Sequence, residues 1–320
     1  MNNFKKIGLS ALAGSLVAVS AHAAEISMSG GASVAVTSGD DKGKSSYYQN
    51  DSITFTVAGE TDGGLSITTK LELDGGANAS SSFDNRSLAI GHDTLGTVTF
   101  SGHGGDSVLS GWDDKTPSAY EESWGLTTGA LVINGVAGDN LWRYDSPELI
   151  PGLTAHASYQ SADQTGSTSA YSDIGVMYAP EMIEGLTLGY AVGEVDEVAN
   201  THGSGNVTGT DESTMFVTYA SGPITVGYQS SEADGTTSTQ DDDSTAIGIS
   251  YAISDDLSVS YGEHELDLGS STSDQESEGF SASYTMGGTT IKASFNETTN
   301  TAGVAGDDKD AYEIALVFAF

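Results

Sequence analysis

The stretch IGISYAISDDLSVSYGEHELD, residues 247–267, reads as two alternating segments hinged on Ser254, Asp255 and Asp256. Before the hinge, Ile247, Ile249, Tyr251 and Ile253 share one face, and Gly248, Ser250 and Ala252 share the other. After it, Leu257, Val259 and Tyr261 oppose Ser258, Ser260 and Gly262. Successive side chains of a strand point to opposite faces, so this is a hairpin with one apolar face and one small, polar face. In a soluble sandwich the apolar face packs on a second sheet. In a membrane barrel it meets lipid, and the polar face lines water.

The same alternation recurs along the chain and predicts sixteen strands, from Ile26, Met28, Ala32 and Val34 to Tyr312, Ile314, Leu316, Phe318 and Phe320. Short connections fall at 61–64, 93–96, 148–152, 180–185, 221–223, 254–256 and 287–288. Long ones, rich in Gly, Ser, Thr and Asp, fall at 37–50, 74–84, 103–139, 162–171, 196–211, 232–243, 267–277 and 299–310. A sandwich has no reason to sort its loops by parity, whereas an outer-membrane barrel puts tight turns at the periplasm and longer loops outside. Tyr recurs near strand ends, as an interfacial aromatic girdle requires. A secreted β-rich adhesin is the soluble alternative.

Composition agrees with the barrel. Of 320 residues 41 are Gly, none is Cys, and only 37% are hydrophobic, which is low for a packed globule of this length. A barrel that turns its apolar residues outward and encloses water needs few large ones inside. The absence of cysteine excludes disulfides and thiolate metal sites. At the start, Lys5 and Lys6, the apolar residues 7–19 and Ala21-His22-Ala23 form a secretory signal peptide over 1–23. Residues 24–320 then form a single barrel domain. The leader holds two of the 10 basic residues and none of the 45 acids, so the mature chain has eight basic residues and a net charge of −37. Such a surface attracts cations and repels nucleic acid.

Three segments carry a family resemblance. LWRYDSPELIPGLTAHASY (141–159) and NRSLAIGHDTLGTVTFSGHGG (85–105) are similar to the porin segments that leave and enter the third loop. The ending YEIALVFAF (312–320), with Phe320 last, looks like the signature such barrels present to their assembly machinery. The chain resembles the general diffusion porins of Gram-negative outer membranes, most like the alphaproteobacterial branch. The resemblance implies an all-β, 16-stranded antiparallel transmembrane barrel whose third loop, here 103–139, folds into the lumen. It also implies a homotrimer in contact with outer-membrane lipid and lipopolysaccharide, with small hydrophilic solutes as cargo.

Typical members set basic wall residues against acids on that loop. Carried to this sequence, the wall candidates are Lys70, His103 and Arg143, all inward by parity, and the loop acids are Asp106, Asp113, Asp114, Glu121 and Glu122. Arg86 shares its phase with Leu88 and Ile90 and points outward, toward a subunit interface. Blander assignments exist for each. Lys70 pairs with Glu72 and Arg143 with Asp145, two positions on along the same faces, and His103 serves as a plain hydrogen-bonding residue. The four acids Asp113, Asp114, Glu121 and Glu122 could chelate Ca²⁺, or stand solvated in a long loop.

Enzyme signatures are missing. SGDDKGKS (38–45) fails as a P-loop because its first glycine is replaced by Ser38, and HELDL from His264 lacks the second histidine of a zinc site. The sequence therefore predicts a passive, cation-preferring channel without catalysis or cofactor. The rival is a surface adhesive barrel closed by its loops.

Overall fold

Each alternating segment pairs with its sequence neighbours, and the last pairs with the first. The computed structural model describes residues 24–40, 43–74, 83–128, 133, 135–162, 170–195, 209–235 and 237–320; the expected leader, 1–23, lies outside the described residues. The wall comprises β1 (Glu25–Gly39), β2 (Gly43–Glu60), β3 (Ser66–Asp74), β4 (Asn85–His92), β5 (Gly96–His103) and β6 (Leu141–Asp145). It continues with β7 (Leu153–Gln160), β8 (Tyr171–Tyr178), β9 (Leu186–Val195), β10 (Gly209–Ser221) and β11 (Ile224–Gly235). It ends with β12 (Asp242–Ala252), β13 (Leu257–Leu268), β14 (Gln275–Met286), β15 (Thr289–Thr299) and β16 (Lys309–Ala319).

The first hairpin read from the sequence settles which face is which. Ile249 lies across from Tyr261, and Ser250 across from Ser260. Ile249 is 43% exposed, whereas Ser260 is 6% exposed. The inversion holds around the barrel: Ile, Val, Tyr and Phe are exposed outside, while Ser, Thr, Gln, Asn, Asp and Glu dominate the buried set. An apolar exterior of that extent needs lipid as its solvent.

Closure runs from Gly31 opposite Ala319 to Gly39 opposite Ala311. Beyond it, Gly30 and Phe320 exchange two backbone hydrogen bonds of 2.9 and 3.0 Å. Because barrel strands are staggered, the seam uses only the upper part of β1, and Glu25 to Ser29 pair with β2 alone.

Six of the seven short turns carry a glycine at positive φ, for example Gly96 at 82° and Gly152 at 82°. At the opposite end several connections are shorter than the sequence suggested. β1 runs to Gly39 and β2 starts at Gly43, where a long loop over 37–50 was expected. The polar ends keep pairing as hairpins after the apolar alternation has stopped.

Candidate functional site

The connection between β5 and β6 turns into the barrel, and its base is tied on both sides. Gly105 pairs with Gly138, and Asp106 with Ala137. Asn85 Nδ2 donates to Gly104 O at 2.6 Å, and His103 Nδ1 bonds Asp139 Oδ1. Gly104 adopts φ 63°, and a Cβ there would lie 2.6 Å from Asp84 O, so the bend requires glycine.

From this base the loop follows the inner wall, and inward side chains of successive strands accept its backbone N–H groups. Val108 donates to Ser158 Oγ of β7 at 3.0 Å, and Leu109 to Asp173 Oδ2 of β8 at 2.9 Å. Lys115 donates to Gln229 Oε1 of β11 at 2.6 Å, and Ala119 to Ser260 Oγ of β13 at 2.8 Å. Tyr120 reaches Ser281 Oγ of β14 at 3.0 Å, and Leu126 reaches Asn296 Oδ1 of β15 at 3.0 Å. On the return, Gly135 donates to Glu212 Oε2 of β10 at 3.0 Å. Each of these donors would cost about 1–3 kcal/mol if buried bare, which accounts for the polar character of the buried wall.

Apolar packing fills the gaps. Val108, Leu109, Trp112 and Ile133 of the loop cluster with Ala191, Phe216, Ala233 and Leu266 of the wall. Trp112 meets Phe216 edge-on at 5.3 Å between ring centroids. The described part of the loop thus coats the wall from β7 to β15. Strands β2 to β6 face an open cavity of about 360 Å³, into which Lys70, Glu72, Asp106 and Arg143 project among the hydroxyls of Thr54, Ser87 and Thr99.

A sixteen-stranded tube, apolar outside and narrowed inside by its own third loop, can be set beside known proteins. The profile described as Gram-negative porin matches residues 8–303. This chain belongs to the Gram-negative porin family. Its fold is similar to a triple mutant of the Rhodopseudomonas blastica porin, with TM-score 0.65 and 16% identity over 92% of this chain and 100% of the other. It is also similar to a loop-deletion mutant of the Vibrio cholerae outer-membrane protein OmpT, with TM-score 0.69 and 13% identity over 93% and 99% of the two chains. No curated protein sequence matches the chain significantly. The family is that of Gram-negative porins, and the fold is theirs.

In this porin Lys70, Asp106 and Arg143 share the open cavity. Arg143 is a strut as well as a charge. Its Nε donates to Asp145 Oδ1 at 3.1 Å, and its Nη1 donates to the carbonyls of Asp106 and Ser107 at 3.3 and 3.1 Å. Asp145 also bonds His156 Nδ1 at 2.7 Å. The alternative Lys70–Glu72 ion pair is not formed; both side chains line the open cavity. His103 sits at the loop base on Asp139, outside the cavity that holds Lys70 and Arg143. Arg86 lies outward in phase with exposed Leu88 and Ile90, its Nη2 on Gly102 O at 3.3 Å.

The remaining acids lie further along the loop. Asp114 Oδ1 accepts from the N and Oγ1 of Thr116 at 3.0 and 2.9 Å. Burial, then Glu122, pushes its carboxyl up to about 6. Asp113 is raised mainly by burial, and Glu121 by burial and then by Glu122. A Cβ on Gly125 would lie 2.8 Å from Glu122 Oε2 and 3.0 Å from Glu121 Oε2, so these two carboxylates flank one spot. Among the described residues no three acidic or histidine side chains are arranged to hold a metal ion, and the four acids considered for Ca²⁺ form no such group.

Two cations were missed in the sequence. Lys115 sits between the acids, its ammonium pKa lowered by burial and supported by Asp113 and Asp114. Lys292 places Nζ 4.9 Å from the centroid of the Tyr120 ring. Its parity was readable, since it opposes the outward Ile291 and Ala293. The expectation that the loop acids face only Lys70, Arg143 and His103 is therefore corrected.

Proposed function

We propose that this porin is a passive, cation-preferring diffusion channel for small hydrophilic solutes, assembled as a homotrimer with its short turns at the periplasm. The observation that carries this reading is the loop laid along one side of the lumen, which leaves a water-accessible cavity beside β2 to β6. Glu72, Asp106, Asp113, Asp114, Glu121 and Glu122 outnumber Lys70, Lys115, Arg143 and Lys292 around the loop and that cavity. Such charge concentrates cations and opposes anions, filtering solutes by electrostatics and width with no covalent step.

Single-channel recording of the purified protein in a planar bilayer tests the channel itself. Stepwise, ohmic conductance without an energy source is expected. A protein that inserts as folded barrels and conducts nothing would overturn the reading.

A further inference from the structure

One carboxylate at the barrel seam serves two segments that are far apart in sequence. Glu313 on β16 is 4% exposed and faces inward. Tyr48 of β2 donates its hydroxyl to Glu313 Oε2 at 2.5 Å. Tyr120, in the middle of the third loop, donates its hydroxyl to Glu313 Oε1. Lys292 of β15 covers the Tyr120 ring, with Nζ 4.9 Å from its centroid. The two strands that supply Tyr48 and Glu313 flank β1, so the group straddles the place where the first and last strands meet. Nearby inward positions on the seam are small and buried: Ala35 at 2% and Ala315 at 2% exposure.

We propose that Glu313 and Tyr48 are positioning residues for the constriction, a latch that holds the far reach of the third loop through Tyr120 and thereby fixes the width of the channel. The backbone bonds described above hold the loop against β7 to β15 but stop short of the seam. Tyr120 is the side chain that carries the loop across to β16. The Tyr48–Glu313 bond forms only when β16 has closed onto β1 beside β2, so the complete latch follows barrel closure. A charged acceptor makes each of these bonds stronger than a neutral pair. The proposal rests on the channel reading for its effect on width but not for the latch itself.

The chain has no cysteine, so a single Ser118→Cys change at an exposed loop position accepts one spin label. The assembled full-length porin is then compared with Tyr120→Phe and Glu313→Gln in the same background. The label is expected to be immobile in the parent and mobile in Tyr120→Phe, with barrel heat resistance retained and single-channel conductance and noise raised. Glu313→Gln, which keeps the shape and one acceptor oxygen, is expected to fall between. An equally immobile label in assembled Tyr120→Phe would overturn the latch, as would failure of both variants to assemble, which would show a role in barrel formation instead. A parent that conducts nothing would end the channel reading and leave the label result to decide the latch.

Discussion

Asp114 sits half-buried in the third loop with Glu122 nearby, and its carboxyl is pushed from the usual 3.8 to about 6. A raised carboxyl favours the neutral form in the folded protein, so it is half-charged near pH 6, gains its full charge well above that and loses it as pH falls below. Cation preference should therefore weaken between neutral pH and pH 5 if this carboxyl shapes the pore field. Asp114→Asn keeps an acceptor for Thr116 and removes the titration, so it should flatten that part of the profile. Zero-current potentials measured across the pH range check this; a variant with the parental profile would contradict it. The residue type and loop position of Asp114 were readable in the sequence. Its environment was not, because burial and the approach of Glu122 come from a loop path that no local pattern encodes. Lys292 is the reverse case: its inward phase followed from Ile291 and Ala293, but its place beside Tyr120 required the fold.

The strands were legible because a period of two survives in every wall segment, and a one-residue slip would put polar groups into lipid. Their ends were less so, since Glu263 and Glu265 take over the outward phase of Tyr261 while β13 continues to Leu268. The loop's docking was illegible, because it hangs on single bonds between distant residues, such as Leu126 with Asn296. Inner-wall glycines make room for it. A Cβ on Gly227 would lie 2.5 Å from Pro117 Cδ and 3.3 Å from Thr116 Cα. Gly227→Val should overpack this contact by about 1–3 kcal/mol and push the loop into the lumen. Lower single-channel conductance is the expected result, and an unchanged step size would refute the close approach. At the seam, a Cβ on Gly30 would lie 2.5 Å from Ser52 O and 2.9 Å from Phe320 Cζ. Gly30→Val, or removal of Phe320, should sharply reduce heat-modifiable barrels in outer-membrane fractions, because an unpaired edge cannot remain in lipid. Parental levels of either variant would remove Phe320 from the closing contact.

At the scale of the whole molecule, a net charge of −35 surrounds a lumen in which acids outnumber bases. The excess was readable from composition alone; the division between mouth and constriction needed the loop's position. Charges at the open mouth act through solvent and are screened beyond roughly 8 Å at physiological ionic strength. Half-buried carboxylates such as Asp113 and Glu121 are screened less. Selectivity should therefore fall as salt rises to molar concentration and retain a remnant set by the loop. Replacing Asp113, Asp114, Glu121 and Glu122 together by their amides should remove most of that remnant. The zero-current potential across a planar bilayer in a KCl gradient tests the central claim most directly. The unmodified porin is expected to give the sign of cation preference, largest in dilute salt and shifted toward anions in the four-amide variant; anion preference of the unmodified channel in dilute KCl would contradict the account.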